Sequence, residues 1–130
     1  MHLVDSSIII AILTGEKNAA DLFATLKELR AAGGAFVNQI VFSETTALAD
    51  SEEQAEKWLR PLADRHDLPW KACFPAAQAF RLYRTRGGKK ERMLPDFLIA
   101  AHADAMGWKL FTNNAADIRN YFPRLKILTP

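Results

Sequence analysis

Short apolar runs alternate with longer amphipathic stretches along most of this chain. The runs at 2–4, 35–37, 109–111 and 125–129 have the length of buried strands, and 67–70 is a weaker candidate. Helical spacing of apolar residues, bounded by Ser, Pro and Gly, predicts helices over about 8–13, 17–31, 39–49, 51–60, 75–86, 95–107 and 115–122. Alternation of this kind is typical of a parallel sheet covered by helices on both faces, so we predict one α/β domain over residues 1–130.

The composition fits a globular protein of one domain. The chain has 130 residues, of which 49% are hydrophobic and 25% charged. The longest apolar run, 8–13, is far shorter than the ~20 residues of a membrane span, and no basic region precedes it. Cys73 is the single cysteine, which excludes an internal disulfide and a Cys-rich zinc site. We therefore expect a cytoplasmic protein with no membrane segment and no secretory signal.

Positive charge is concentrated in one window, 81–92, with the sequence RLYRTRGGKKER. Its six basic residues outweigh one Glu, so the window carries +5 in a chain whose net charge is +2. Candidates for contacts to a nucleic-acid backbone are Arg84, Arg86, Lys89, Lys90 and Arg92. The alternative interpretation is a solvated helix end followed by a turn.

Three acids lie just after predicted strands or open a predicted helix. Asp5 closes the first strand, Asp117 follows the strand at 109–111, and Asp96 starts an Ala-rich helix. Ligands of parallel α/β folds bind beyond the carboxyl ends of the strands. Each acid also has a simpler interpretation as a helix cap or a first-turn carboxylate, which the helix dipole favours.

A fourth acid, Glu44, lies inside a predicted helix. It shares one helical face with Ile40 and Leu48, which predicts a carboxylate facing the interior. Such a group needs a cation or several hydrogen-bond donors. The alternative is that the true apolar face runs through Val41 and Thr45, which would leave Glu44 on the surface.

The four acids together predict a cation site, because clustered carboxylates repel one another. Several oxygen ligands suit Mg²⁺ or Mn²⁺ rather than Zn²⁺. With a phosphate substrate, the expected chemistry is attack of metal-activated water on a phosphodiester. A metal-free mechanism would need a pair of histidines as acid and base. His102 is six residues after Asp96 and so projects away from the Asp96 face, while His2 is in a strand pattern and His66 in a polar loop.

These residues resemble the PIN-domain ribonucleases, and most closely the VapC-type toxins of bacterial toxin–antitoxin pairs. The resemblance covers nearly the whole chain and rests on LVDSSIIIAIL, SETTAL, LPDFLIAAHADAMGWKLFTNN and YFPRLKILTP. It implies a three-layer α/β/α sandwich with about five parallel strands and an acidic pocket for Mg²⁺ or Mn²⁺. It also implies RNA cleavage to 5′-phosphate and 3′-hydroxyl ends, a small VapB-like antitoxin and a homodimer. Some relatives act mainly within a DNA-binding complex, so a binding module with little nuclease activity is the alternative.

Carried over by position, the resemblance makes Asp5, Glu44 and Asp96 the three central catalytic and metal-binding acids. For the fourth, one alignment of the loop FTNNAADI replaces the acid by Asn114, and another places Asp117 there. The second alignment matches more residues of the family pattern, so Asp117 is taken as the fourth acid.

Three polar residues take supporting roles in the same scheme. Ser7 and Thr112 are expected to orient a ligand or a phosphate oxygen, and Asn114 to hold a carboxylate in place.

Overall fold

The computed structural model describes residues 1–89 and 93–130, which form five strands and seven helices. The strands are β1 (His2–Val4), β2 (Ala35–Val37), β3 (Asp64–Arg65), β4 (Lys109–Phe111) and β5 (Ile127–Leu128). The helices are α1 (Ser6–Leu13), α2 (Ala19–Ala31), α3 (Gln39–Thr45), α4 (Glu52–Leu59), α5 (Trp70–Thr85), α6 (Met93–Met106) and α7 (Ala115–Tyr121). Within this part of the chain, no helix is both long and apolar enough to cross a membrane.

All strand pairs are parallel, and the sheet order is β3-β2-β1-β4-β5. The chain builds outward from β1 through β2 to β3, then returns to the other side of β1 with β4. The change of direction therefore falls between β1 and β4. In open parallel sheets, the crevice beyond the carboxyl ends of two such strands is the usual ligand site. The predicted α/β class with a five-stranded parallel sheet is confirmed.

The side chains at the ends of β1 and β4 are buried between layers of helices. Leu3, Val4, Leu110 and Phe111 are at most 1% exposed, because helices cover both of their faces. Leu3 pairs with Leu110 and Val4 with Phe111. The register continues past the last pair, since the Asp5 N–H donates to the Phe111 carbonyl at 2.9 Å. The residues that follow β1 and β4 are therefore held side by side at the carboxyl edge of the sheet.

Helix α6 connects most of the fold's layers. It packs on β1, β4, α3, α5 and α7, and Phe97 and Ile99 on it are fully buried. Gly107 ends the helix with φ of +70°, a left-handed conformation that costs glycine little, and the chain then turns into β4. The start of α6 therefore lies at the same edge of the sheet as the crevice.

Two predicted element boundaries were wrong. The third strand is Asp64–Arg65 rather than 67–70, and its two side chains are exposed at the sheet edge. Helix α5 begins at Trp70, five residues before Pro75, which lies inside it. The helix tolerates Pro75 near its first turns, where only one intrahelical hydrogen bond is lost.

The predicted interior face of the third helix was also wrong. Helix α3 ends at Thr45, so Leu48 lies beyond it and is 90% exposed. Val41 and Thr45 are the buried residues of α3, and Glu44 is exposed. The apolar residues near Glu44 formed a stripe only on the assumption that the helix continued to about residue 49.

Candidate active site

Asp5 is the centre of a hydrogen-bonded network at the carboxyl end of β1. It occupies the N-cap position of α1, yet its side chain makes no capping hydrogen bond. Instead its Oδ2 accepts from the Ser7 hydroxyl at 2.7 Å and from the Thr112 hydroxyl at 2.7 Å. Asp5 is only 6% exposed, so these donors compensate for the water lost on burial. Asp5 therefore holds the N-cap position, but its carboxylate does not cap the helix.

The loop after β4 completes this network. The Thr112 Oγ1 donates to Asp5 and accepts from the Asn114 N–H at 2.9 Å, while the Ser7 Oγ accepts from the Asn113 N–H at 3.1 Å. Both hydroxyls thus connect the first turn of α1 to the loop that follows β4. Asn114 itself is exposed, and its contact to Thr112 is made by the backbone.

Asp5, Asp96 and Asp117 line one cleft of about 730 Å³. Asp96 is in the first turn of α6 and Asp117 in the first turn of α7, and both are partly buried. Thr112 and Asn114 also line this cleft. Residues from three separate parts of the sequence therefore meet at the crevice between β1 and β4.

Glu44 lies outside the residues that line the cleft but is connected to them. The Ser6 hydroxyl donates to its Oε1 at 2.6 Å, and Ser6 is 7% exposed. Ser6 is the residue next to Asp5, so the first turn of α1 holds one acid through each of its two serines. No role was predicted for Ser6, although its position beside Asp5 was the available signal.

The basic window lies partly beside the cleft. Lys89 lines it, and the Arg86 guanidinium lies 5.5 Å from the centre of the Tyr121 ring on α7. Arg84 is exposed in the last turn of α5. Lys90 and Arg92 lie outside the described residues.

The donor atoms at the cleft suit Mg²⁺ or Mn²⁺ in kind. Three carboxylates and the hydroxyls of Ser7 and Thr112 supply oxygen only, which hard divalent cations prefer. Within residues 1–89 and 93–130, however, no three His, Cys, Asp or Glu side chains lie close enough together to hold a metal ion. A Mg²⁺ ion in this cleft would therefore be held by one or two of the carboxylates, with water completing its coordination.

The sequence profile of the PIN domain matches residues 2–122. The chain belongs to the PIN-domain family. The fold agrees with this assignment, and the predicted resemblance to PIN domains is confirmed. No curated protein gives a significant match to this PIN domain.

Several solved structures share the fold of this PIN domain at low sequence identity. VapBC2 from Rickettsia felis, bound to a promoter DNA fragment, has a TM-score of 0.74 and 20% identity over 99% of this chain and 98% of that chain. FitAB bound to the IR36 DNA fragment has a TM-score of 0.71 and 18% identity, over 100% and 95%. A toxin–antitoxin complex from Klebsiella pneumoniae has a TM-score of 0.64 and 21% identity, over 100% and 98%.

Proposed function

We propose that this PIN domain is a VapC-type endoribonuclease that depends on Mg²⁺ or Mn²⁺. The observation that supports this most directly is the convergence of Asp5, Asp96 and Asp117 on one cleft at the crevice between β1 and β4. Carboxylates that share a cleft favour a bound divalent cation, because the cation offsets the repulsion between their charges. RNA as substrate implies that the protein works in the cytoplasm.

Asp5 and Asp96 are the direct metal ligands in this proposal, and Glu44 and Asp117 complete the acidic pocket. A bound divalent ion supplies Lewis acidity toward water and phosphate oxygens. Ser7 and Thr112 keep the Asp5 carboxylate in one orientation, because both donate to the same oxygen. Cleavage adds water across the bond between phosphorus and the 3′ oxygen, which leaves a 5′-phosphate and a 3′-hydroxyl.

The basic window holds the RNA backbone in this proposal. Lys89 lines the cleft, so its ammonium is placed to contact a phosphate next to the cleaved bond. Arg84 and Arg86 extend the positive surface along the end of α5. Contacts of this kind give affinity for the backbone and carry no direct sequence information.

A small VapB-like antitoxin is the proposed protein partner, and a homodimer the proposed assembly. The support is that the neighbours in fold include a toxin–antitoxin complex and VapBC complexes from several bacteria. The same neighbours favour a second candidate function, because some of them are complexes bound to DNA. In that case the PIN domain would act mainly as a part of a DNA-binding assembly.

The deciding experiment is to incubate the purified protein with total RNA and Mg²⁺, with and without EDTA, and to map the cut ends. Asp96→Asn is expected to abolish cleavage. Asp104→Asn is the matched control, since Asp104 is on the same helix, is exposed and does not line the cleft. Cleavage that persists in EDTA, or in Asp96→Asn, would refute the metal-dependent mechanism.

The second candidate is separated from the first by a DNA-binding assay. The protein is co-expressed with the product of any small adjacent gene, and the complex is tested on the DNA upstream of the gene pair. DNA binding without RNA cleavage by the free protein would favour the binding module. RNA cleavage that the partner suppresses would favour the toxin.

A further inference from the structure

Three polar side chains form a hydrogen-bonded row at the contact between α3 and α6. The Asn38 Nδ2 lies 3.1 Å from the His102 Nδ1, and the His102 Nε2 lies 3.0 Å from the His66 Nδ1. Asn38 is 3% exposed, His102 is fully buried and His66 is partly buried. The proposed reaction uses none of these groups.

The row has a single possible proton order when both imidazoles are neutral. The Asn38 Oδ1 accepts from the Val41 N–H at 3.0 Å, so the amide must present its NH₂ group to His102. The His102 Nδ1 therefore accepts, and its proton is on Nε2. That proton is donated to the His66 Nδ1, which leaves the His66 proton on Nε2.

The surroundings favour the neutral form of His102. The Trp108 ring packs against both imidazoles, and the Phe36 ring packs against His66. The charged residues nearest along the elements around the row are exposed, namely Asp104 on α6, Arg65 and Asp67 beside His66, and Lys109 on β4. Burial, and to a smaller extent the nearby His66, lowers the pKa of His102 to about 4.

This row joins the two helices that carry two acids of the proposed pocket. Asn38 is the N-cap of α3, which carries Glu44 in its last turn, and His102 is on α6, which begins near Asp96. The two helices pack against each other. We propose that Asn38, His102 and His66 are positioning residues. Their fixed proton order holds α3 against α6, and this fixes the positions of the acidic side chains in the pocket.

The proton order is tested by ¹⁵N NMR of the histidine rings in the free protein, with Asn38→Asp as the variant. Asp is as good an N-cap as Asn, but it cannot donate to His102. The His102 Nδ1 is expected to be unprotonated in the wild type and protonated in Asn38→Asp. Asn18→Asp is the matched control, since Asn18 is also an N-cap, and it should leave the His102 signals unchanged.

Two spectra would overturn the proposed order. One is a wild-type protein with the proton on the His102 Nδ1. The other is an Asn38→Asp protein in which that nitrogen is still unprotonated.

The positioning role is tested by Mn²⁺ titration, and this part rests on the proposed function. His102→Leu is expected to raise the Mn²⁺ dissociation constant by about threefold, less than the tenfold or more typical of groups that bond a metal ligand directly. Leu26→Ala is the control, because Leu26 is 1% exposed on α2 and its truncation destabilises the protein away from the row. If His102→Leu does not fold, His66→Phe removes only the last acceptor and keeps a ring.

The failures of the two proposals are distinguishable. Equal Mn²⁺ affinity in wild type and the row variants, or an equal loss in Leu26→Ala, would overturn the positioning role. A wild-type protein that binds no Mn²⁺ would overturn both the proposed function and the positioning role, whereas the NMR result on proton order would still stand by itself.

Discussion

Replacing Thr112 by valine tests the network around Asp5 with almost no change in shape. Thr112 is 1% exposed, and its hydroxyl donates to the buried Asp5 carboxylate and accepts from the Asn114 N–H. A hydrogen bond to a charged group contributes about 1.5–3 kcal/mol. The second bond adds little, because Asn114 is exposed and water can replace it. We expect Thr112→Val to lower the free energy of unfolding by about 2–3 kcal/mol.

The assay for Thr112→Val is urea denaturation at pH 7 in EDTA, so that metal binding does not contribute. Thr112→Ser keeps the hydroxyl and should recover most of the loss, apart from roughly 0.8 kcal/mol for the missing methyl group. Thr85→Val is the matched control, because Thr85 is exposed and its hydroxyl bonds a carbonyl within its own helix, so its loss should change stability by less than about 0.5 kcal/mol.

A Thr112→Val protein as stable as Thr85→Val would refute the reasoning. It would mean that the hydroxyl of Thr112 contributes nothing to holding the Asp5 carboxylate. The same proteins also test the metal proposal, because a ligand that binds only the folded state raises its stability. Added Mn²⁺ should therefore stabilise the wild type and Thr85→Val more than Thr112→Val.

Three further predictions follow from other contacts. His102 is kept neutral in the fold, whereas the unfolded chain binds a proton at this residue near the usual pKa. The free energy of unfolding should therefore fall by up to roughly 3 kcal/mol as the pH drops from 6.5 toward 4. Denaturation of wild type and His102→Leu over that pH range isolates the effect. Ser6→Ala frees the Glu44 carboxylate and should slow RNA cleavage about tenfold, with recovery in Ser6→Thr; equal rates would contradict it. Lys89→Gln should reduce the slope of log RNA affinity against log salt by about 1, whereas Lys71→Gln, at an exposed residue outside the cleft, should leave it unchanged.

The main features of the fold could be predicted because they depend on local patterns. The central strands are short apolar runs, and the helices between them carry Ser, Pro or Gly near their ends. Strand β3 carries no such pattern, since it is two exposed polar residues, Asp64 and Arg65, at an edge of the sheet. Its pairing is decided by the neighbouring β2 backbone rather than by its own side chains.

The location of the cleft could also be predicted, because the carboxyl ends of parallel strands meet at one edge. Asp5, Asp96 and Asp117 line it as that rule suggests. The environment of each acid was harder to predict from the sequence. The exposure of Glu44 depends on where α3 ends, and helix ends are set by tertiary contacts as well as by sequence.

The row of Asn38, His102 and His66 could not be predicted from the sequence, for a different reason. Asn38 and His102 are 64 residues apart, and His66 lies in a polar segment between them. Each has an ordinary local interpretation, as a cap, a helix residue and a loop residue. The packing of α3 on α6 and the pairing of β3 with β2 bring them into one row, and no local pattern contains that information.

The paired serines after Asp5 explain how an exposed acid and a buried acid can belong to one site. Ser6 and Ser7 are consecutive in the first turn of α1, so their side chains point about 100° apart around the helix. Ser6 donates to Glu44 on α3, and Ser7 donates to Asp5 and accepts from the loop after β4. The start of α1 therefore connects both sides of the proposed pocket. Glu44 can take part in it without being buried, because Ser6 holds one of its oxygens.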